Sequence, residues 1–267
     1  MKHFTLLLVA AATLCTNAFA QSRARNIYTS STTLNLEVLE NATQPVIVNR
    51  TLFAGYNTIC LPMSLDADQL QAAAKDVQVE RLAAVKQEGS TVNMYFLDCT
   101  NEGIEAGTPY LIFSPTMQTL HANTLSAGPV DTDLKNVTMT DGRGNTVTFG
   151  SSWETLKVEG RYGIPAQQEA YLLESVLIRT EADKAFLPTR CGFTWDQQTA
   201  SAERLEIKHV TSMKDIETSI AKLQDQNARV DIYDAKGNLV GKSTISEAKQ
   251  NLPQGIYVVK GQKFAVK

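Results

Sequence analysis

The strongest constraint on this chain is its punctuation. Short runs of alternating apolar and polar residues are cut again and again by glycine, proline, asparagine and aspartate. A period of two is the signature of a half-buried strand, and breaks this dense leave little room for long helices. "VQVERLAAV" (77–85), "TVNMYFLD" (91–98) and "PYLIF" (109–113) follow one another across Gly89 and Gly107. From Leu125 to Ile207 the segments are shorter still, with "DGRGNTVTFG", "TLKVEGRYGIP" and "YLLESVLI" separated by turn residues. The expectation is a mainly β body, a β-sandwich or distorted β-barrel with one short helix.

Earlier in the chain Leu34, Leu36 and Val38 alternate with Asn35 and Glu37, which predicts a strand ended by Pro45. "VIVNRTLF" (46–53) and "YNTICLP" (56–62) predict two more. The one clear helix starts after Asp66, an N-cap with Gln69 three residues on, as in a capping box. Leu65 and Leu70 stand where a hydrophobic staple needs them, and the helix should end near Asp76.

Residues 1–20 read as a secretory signal peptide. A basic start (Lys2, His3) leads into an apolar stretch that closes on small residues, with cleavage expected between Ala20 and Gln21. No later stretch is apolar enough for a membrane span. Three cysteines then remain, Cys60, Cys99 and Cys191, too few for a disulfide-stapled scaffold. Export permits pairing, so Cys99 and Cys191 are candidates for a disulfide, with Cys60 a structural thiol in a strand. Charge divides the chain. Residues 229–267 carry seven Lys/Arg against three Asp/Glu, a net of +4, while 21–228 have a net of −8. An acidic body argues against nucleic acid as a partner. The expected domains are a body over 21–210, with a sub-domain split near 115–125, a polar linker over 211–228 that is partly helical, and a small antiparallel β domain over 229–267. That tail should hold two hairpins, around Lys236-Gly237-Asn238 and Lys260-Gly261-Gln262, with Val230 and Ile232 buried against Ile256, Val258, Phe264 and Val266.

Motifs that would carry chemistry are sparse. A Cys60–His121 pair would make a nucleophile, but buried packing is the ordinary fate of a strand cysteine. Asp131 and Asp133 sit in "DTDLKN" without the glycine and terminal Glu of a calcium loop. Trp153, Trp195 and Tyr162 could form a sugar platform, against a default of core packing. No metal and no cofactor is expected, and no phosphate-binding glycine loop follows a strand.

Two stretches have a familiar look. "YNTICLPMSLDADQL" together with "IEAGTPYLIFSP" resembles a β-rich module of secreted and surface proteins of the Bacteroidota, patterned as N-T-L-C-L-P-F and, later, E-A-G-x-P-Y-L-I. Tyr56, Asn57, Thr58, Cys60, Leu61 and Pro62 match, as do Glu105, Ala106, Gly107, Pro109 and Tyr110–Ile112, with Met63 in place of Phe. "VDIYDAKGNLV" and "LPQGIYVVKGQKFAVK" resemble the C-terminal sorting domain of type IX secretion cargo, through Gly237, Gly255, Ile256, Tyr257 and Lys267. The usual asparagine-proline pair is absent. The resemblance implies an exported protein at the cell surface or outside the cell, handled by the type IX machinery, or retained in the periplasm if the tail is a relic. The expected function is a non-enzymatic, adhesin-like or ligand-binding protein for a protein or glycan ligand. The alternative is a secreted hydrolase acting on glycan or peptide.

Overall fold

The computed structural model describes residues 24–29, 33–125, 127, 130–157, 160–165, 177–180, 184–197, 202–218, 229–259 and 262–266. The expected cleavage point at Ala20 and Gln21, most of "YLLESVLI", the linker beyond residue 218 and Lys267 lie outside them. In chain order come β1 (Arg25–Tyr28), α1 (Leu36–Glu40), β2 (Val46–Leu52), β3 (Gly55–Ile59) and α2 (Ala67–Ala73). Next are β4 (Gln78–Glu88), β5 (Thr91–Asp98), β6 (Tyr110–Ser114), β7 (Gln118–Asn123), β8 (Val137–Thr140) and β9 (Thr146–Ser151). The short β10 (Leu156–Lys157), β11 (Tyr162–Gly163), β12 (Ile178–Arg179) and β13 (Ala185–Phe186) precede β14 (Cys191–Asp196) and β15 (Arg204–Val210). A helix α3 occupies 213–218. The tail holds β16 (Val230–Asp234), β17 (Leu239–Ser243), α4 (Ile245–Asn251), β18 (Gly255–Val259) and β19 (Gln262–Val266).

The protein is mainly β. Its central sheet runs β15-β5-β4-β6-β3 and packs on a second five-stranded sheet, β12-β11-β14-β9-β8. A three-stranded sheet, β1-β2-β7, shares the same apolar core. At the centre Phe96 from the first sheet meets Phe149 and Phe193 from the second, edge-on at 5.6 and 6.0 Å. Strand β5 is buried along nearly its whole length, from Thr91 to Leu97, because both faces of its sheet are covered. The central sheet also curls. Tyr56 on edge strand β3 stacks on His209 from the opposite edge, β15, at 4.3 Å between ring centres. Strand β15 runs parallel to β5, so the chain must cross over rather than turn back to reach this edge.

Helix α2 begins as its sequence requires. Asp66 accepts from Gln69 N at 2.8 Å and Gln69 Oε1 accepts from Asp66 N at 2.8 Å, while Leu65 and Leu70 are both buried. It ends at Ala73, and Asp76 sits beyond it in the left-handed region (φ +54°).

Three expectations need correction. Residues 34–38 do not form a strand: Asn35 accepts from Val38 N and caps helix α1, and Leu39 is the residue it buries. An asparagine offering its own oxygen to the backbone nucleates a helical turn and competes with extended pairing. The second correction is in the tail, whose two hairpins assemble as the sheet β17-β16-β18-β19. Its core is Ile232, Ala248, Tyr257, Val259 and Val266. Ile256 instead faces outward, 56% exposed, because a strand shows only alternate residues to one face and the inward phase belongs to Tyr257 and Val259. Phe264's side chain is outside what is described. The third is that Cys99 and Cys191 are not bridged; all three cysteines are free and buried. Cys99 Sγ reaches Val79 O at the end of the central sheet, whereas Cys191 starts β14 in the other sheet.

Helix α4 was not expected at all. Thr244 and Glu247 form a full capping box for it, and Ala248 seals one face of the tail sheet.

Candidate functional site

A concavity in the body lies where the β2–β3 turn, which passes the chain from one sheet to another, meets the loops around β11–β14. It is a cleft of about 460 Å³. Three local features build it. Asn57 ties the β2–β3 turn: its Nδ2 donates to Phe53 O (2.8 Å) and Gly55 O (3.0 Å), and its Oδ1 accepts from Phe53 N (3.0 Å). Phe53 and Tyr56 are thereby set on the cleft wall. Thr58 then docks the second sheet. Its hydroxyl donates to Cys191 O and accepts from Cys191 N, both at 2.9 Å, while Cys60 N donates to Thr189 O. Opposite, Phe186 lies over Gly163 and Gly192, where an added Cβ would come within 2.6 and 2.1 Å of its ring. Those glycines let an aromatic wall sit directly on backbone.

The Thr58–Cys191 clamp has an electrostatic result. It brings Arg190, the residue before Cys191, beside Arg50 on β2. Arg50 is 2% exposed. Its Nη1 donates to Thr51 O at 2.6 Å and its Nη2 to Thr58 O at 3.4 Å, but its Nε has no partner, and neither has Arg190 Nη1. Neither arginine belongs to an ion pair among the described residues. Burial, followed by the charge of Arg190, draws the Arg50 guanidinium down to about 9. Burial lowers Arg190 as well. Immediately before it stands Thr189, a buried β-branched residue at φ +65° whose hydroxyl is also unpartnered. Strain of this kind costs about 1–3 kcal/mol and tends to gather at functional positions.

On the rim, Tyr56 connects the cleft to a second cluster. His209 Nδ1 and Glu80 Oε2 are 2.6 Å apart, and the Tyr56 phenol is hydrogen-bonded to Glu80. Burial, and then that carboxylate, hold the phenol well above its ordinary range.

The cysteines are placed for packing. Burial pushes the Cys60 thiol up to about 12 and raises Cys191 well above the usual thiol value, with the Ser151 hydroxyl, which donates to Arg190 O, offsetting little of this. Cys99 is likewise pushed up to about 12, first by burial and then by Glu102. A nucleophilic cysteine needs the opposite shift. His121 is taken by Asn49, with Nδ1 to Oδ1 at 2.6 Å. Asp131 bonds Lys135 at 2.8 Å and Asp133 N at 3.0 Å, an ordinary turn closed by an ion pair. Among the described residues no group of three or more His, Cys, Asp or Glu could hold a metal. Trp153 is core, its Nε1 donating to Thr132 O, so it does not join Trp195 and Tyr162 as a platform. In the tail, Gly237 takes φ +88° at the first turn and Gly255 opens β18.

Sequence reasoning placed the strands β2 and β3 but missed both the Thr58–Cys191 contact and the arginines. Arg50 did carry a signal, a lone charge inside the apolar pattern "VIVNRTL". Arg190 carried none. Among the described residues no helix is long and apolar enough to cross a membrane. Comparison with known proteins finds no matching family model, no matching curated protein and no matching solved structure.

Proposed function

We propose that this chain is an exported, non-enzymatic binding protein, adhesin-like or ligand-binding, that takes a protein or glycan ligand in the cleft between the β2–β3 turn and the β11–β14 loops. The observation that carries this reading is the cleft itself. It joins aromatic and aliphatic walls (Phe53, Tyr56, Ile164, Phe186) to a few convergent polar groups, the usual composition of a ligand site. The buried, protonated thiols add weight, since they leave cysteine chemistry without a nucleophile. Screening the purified protein against glycans and matrix proteins should yield a ligand that Ile178→Trp, which fills the cleft mouth, no longer binds. Undiminished binding by that variant would move the site elsewhere.

The tail belongs to this proposal as a sorting signal of the type IX kind, leading to the cell surface or the medium. What supports it is the resemblance through Gly237, Gly255 and Tyr257, together with a separate small core. Deletion of 229–267 should trap the protein in the periplasm of its native host while the body still folds. Normal delivery of the truncated chain would make the tail a relic.

One observation favours the second reading, a secreted hydrolase: the Glu80–His209 pair under Tyr56 at the cleft rim. Turnover of a chromogenic glycoside or peptide, abolished by Glu80→Gln, would establish it over simple binding.

A further inference from the structure

We propose that the floor of the cleft is an anion subsite, where Arg50 and Arg190 together receive the oxyanion end of a ligand whose apolar part lies against Phe53, Tyr56 and Phe186. This deepens the binding reading above and rests on it. Buried arginines are ordinarily matched by carboxylates, because an ionised group taken from water without a counter-charge is costly. Here a buried guanidinium has a second guanidinium as its charged neighbour, and among the described residues no Asp or Glu forms an ion pair with either of them. Backbone carbonyls of Thr51 and Thr58 hold the Nη end of Arg50 in place and leave Nε over. Arg190 Nη1 is a second buried donor without a partner, and both arginines line the cleft. Both donors are charged, and charge-assisted bonds from an arginine to a carboxylate, sulfate or phosphate are among the strongest a protein makes.

Two further facts narrow the ligand. The walls beside the arginines are aromatic and aliphatic, so an inorganic ion alone would leave them wet. The body as a whole is acidic, with a net of −8 over residues 21–228, so it does not attract anions at long range. Attraction is confined to this floor, and the ligand class is an oxyanion joined directly to an apolar or ring-shaped group. A carboxylate and a phosphate or sulfate ester share this chemistry.

Calorimetric titration of the purified protein with benzoate, phenyl phosphate, benzamide and inorganic sulfate tests the assignment. At least one of benzoate and phenyl phosphate should bind tenfold or more tightly than benzamide, and their order identifies the carboxylate or the ester as the preferred end. Arg50→Gln and Arg190→Gln should each reduce the winning probe to the level of benzamide. Arg190 is partly exposed, so its variant serves if Arg50→Gln fails to fold. Benzamide binding as well as the anions would overturn the anion subsite while leaving the cleft reading in place. Sulfate matching the organic anions would overturn the apolar half of the assignment. If none of the four binds, the anion subsite is overturned, while the cleft reading is decided separately by the ligand screen with Ile178→Trp.

Discussion

Strands β5 and β16 show how differently the two ends of this molecule are stabilised. In β5 every residue from Thr91 to Leu97 is buried, odd and even positions alike. In β16 only Ile232 is, and its neighbour Tyr233 is 37% exposed. The central sheet is covered on both faces, while the tail sheet has α4 on one side and leaves Leu239 and Ile256 exposed on the other. A two-sided sheet erases alternation from the sequence and gains burial at every position. A one-sided sheet keeps the alternation and has half as much to gain. The body can therefore carry in its cleft a strained residue and two arginines that have no ion pair among the described residues, whereas the tail core holds five buried residues among those described.

The largest test of that contrast is Phe96→Ala. It removes the ring at the junction of both five-stranded sheets and should cost about 3–5 kcal/mol. Val259→Ala in the tail removes roughly two methylene equivalents, about 2 kcal/mol. Both tryptophans, Trp153 and Trp195, lie in the body, so tryptophan fluorescence during urea unfolding reports the body alone. Phe96→Ala should shift that transition strongly and Val259→Ala hardly at all. An equal shift from the tail variant would mean that the two cores unfold together.

Two glycines sharpen the comparison further. Gly107 and Gly237 both have positive φ, +72° and +88°. A Cβ on Gly107 would sit 1.8 Å from Asp133 O, whereas one on Gly237 meets nothing within 4 Å. Gly237→Ala should therefore cost only the left-handed backbone term, about 1–2 kcal/mol. Gly107→Ala adds an overlap with backbone that cannot rotate away, for about 3 kcal/mol or more in total. Urea midpoints for the pair check this, and equal costs would show that the body loop yields as freely as the tail turn.

These cases also mark what could be read from residues alone. The long apolar run of β5, the capping box at Asp66 and the tail hairpins were legible because each is set by local spacing or local hydrogen bonding. Helix α1 was not, since five residues with an asparagine cap look the same as alternation until the cap is seen. The phase of Ile256 was lost because Ile256 and Tyr257 are both apolar enough for either face. Helix α4 was missed although Thr244 and Glu247 spell the same kind of box as Asp66 and Gln69. The cleft was illegible for a different reason. Arg50 and Arg190 come together only through the docking of β14 on Thr58, a contact between residues 133 apart in sequence. No window on the chain contains both.

The thiols give a smaller effect, confined to the body because the tail has no cysteine. Folding raises Cys60 and Cys99 from about 9 to about 12. The folded state therefore favours the neutral thiol. This contribution is complete below pH 9 and is lost as pH rises towards 12, at about 1.4 kcal/mol per pH unit for each thiol. Cys60→Ala should flatten the alkaline slope of stability, measured from urea midpoints between pH 9 and 10.5. In the native protein at neutral pH all three thiols should react slowly with a thiol reagent and rapidly once unfolded. Fast native labelling would contradict the burial of these side chains.

The smallest difference concerns the two capping boxes, which are alike in chemistry and unlike in setting. Asp66 and Thr244 each accept from the backbone N–H three residues on, and each donates its own N–H back to the side chain of Gln69 or Glu247. Replacing either by alanine should cost about 1 kcal/mol, since each leaves an N-terminal amide without its partner. The consequences should nevertheless separate. Helix α2 leads with Leu65 and Leu70 already held in the large core, so Asp66→Ala should lower the midpoint without releasing the helix. Helix α4 has Ala248 as its one fully buried described side chain, packed into the core of the tail sheet. Losing about 1 kcal/mol there removes a large share of what a small sheet has to spare. Amide exchange resolves the two cases: protection in β16 and β18 should collapse in Thr244→Ala, while protection in β4 and β6 should persist in Asp66→Ala. If the tail strands stay protected without their cap, the tail draws its stability from somewhere other than the core that α4 completes.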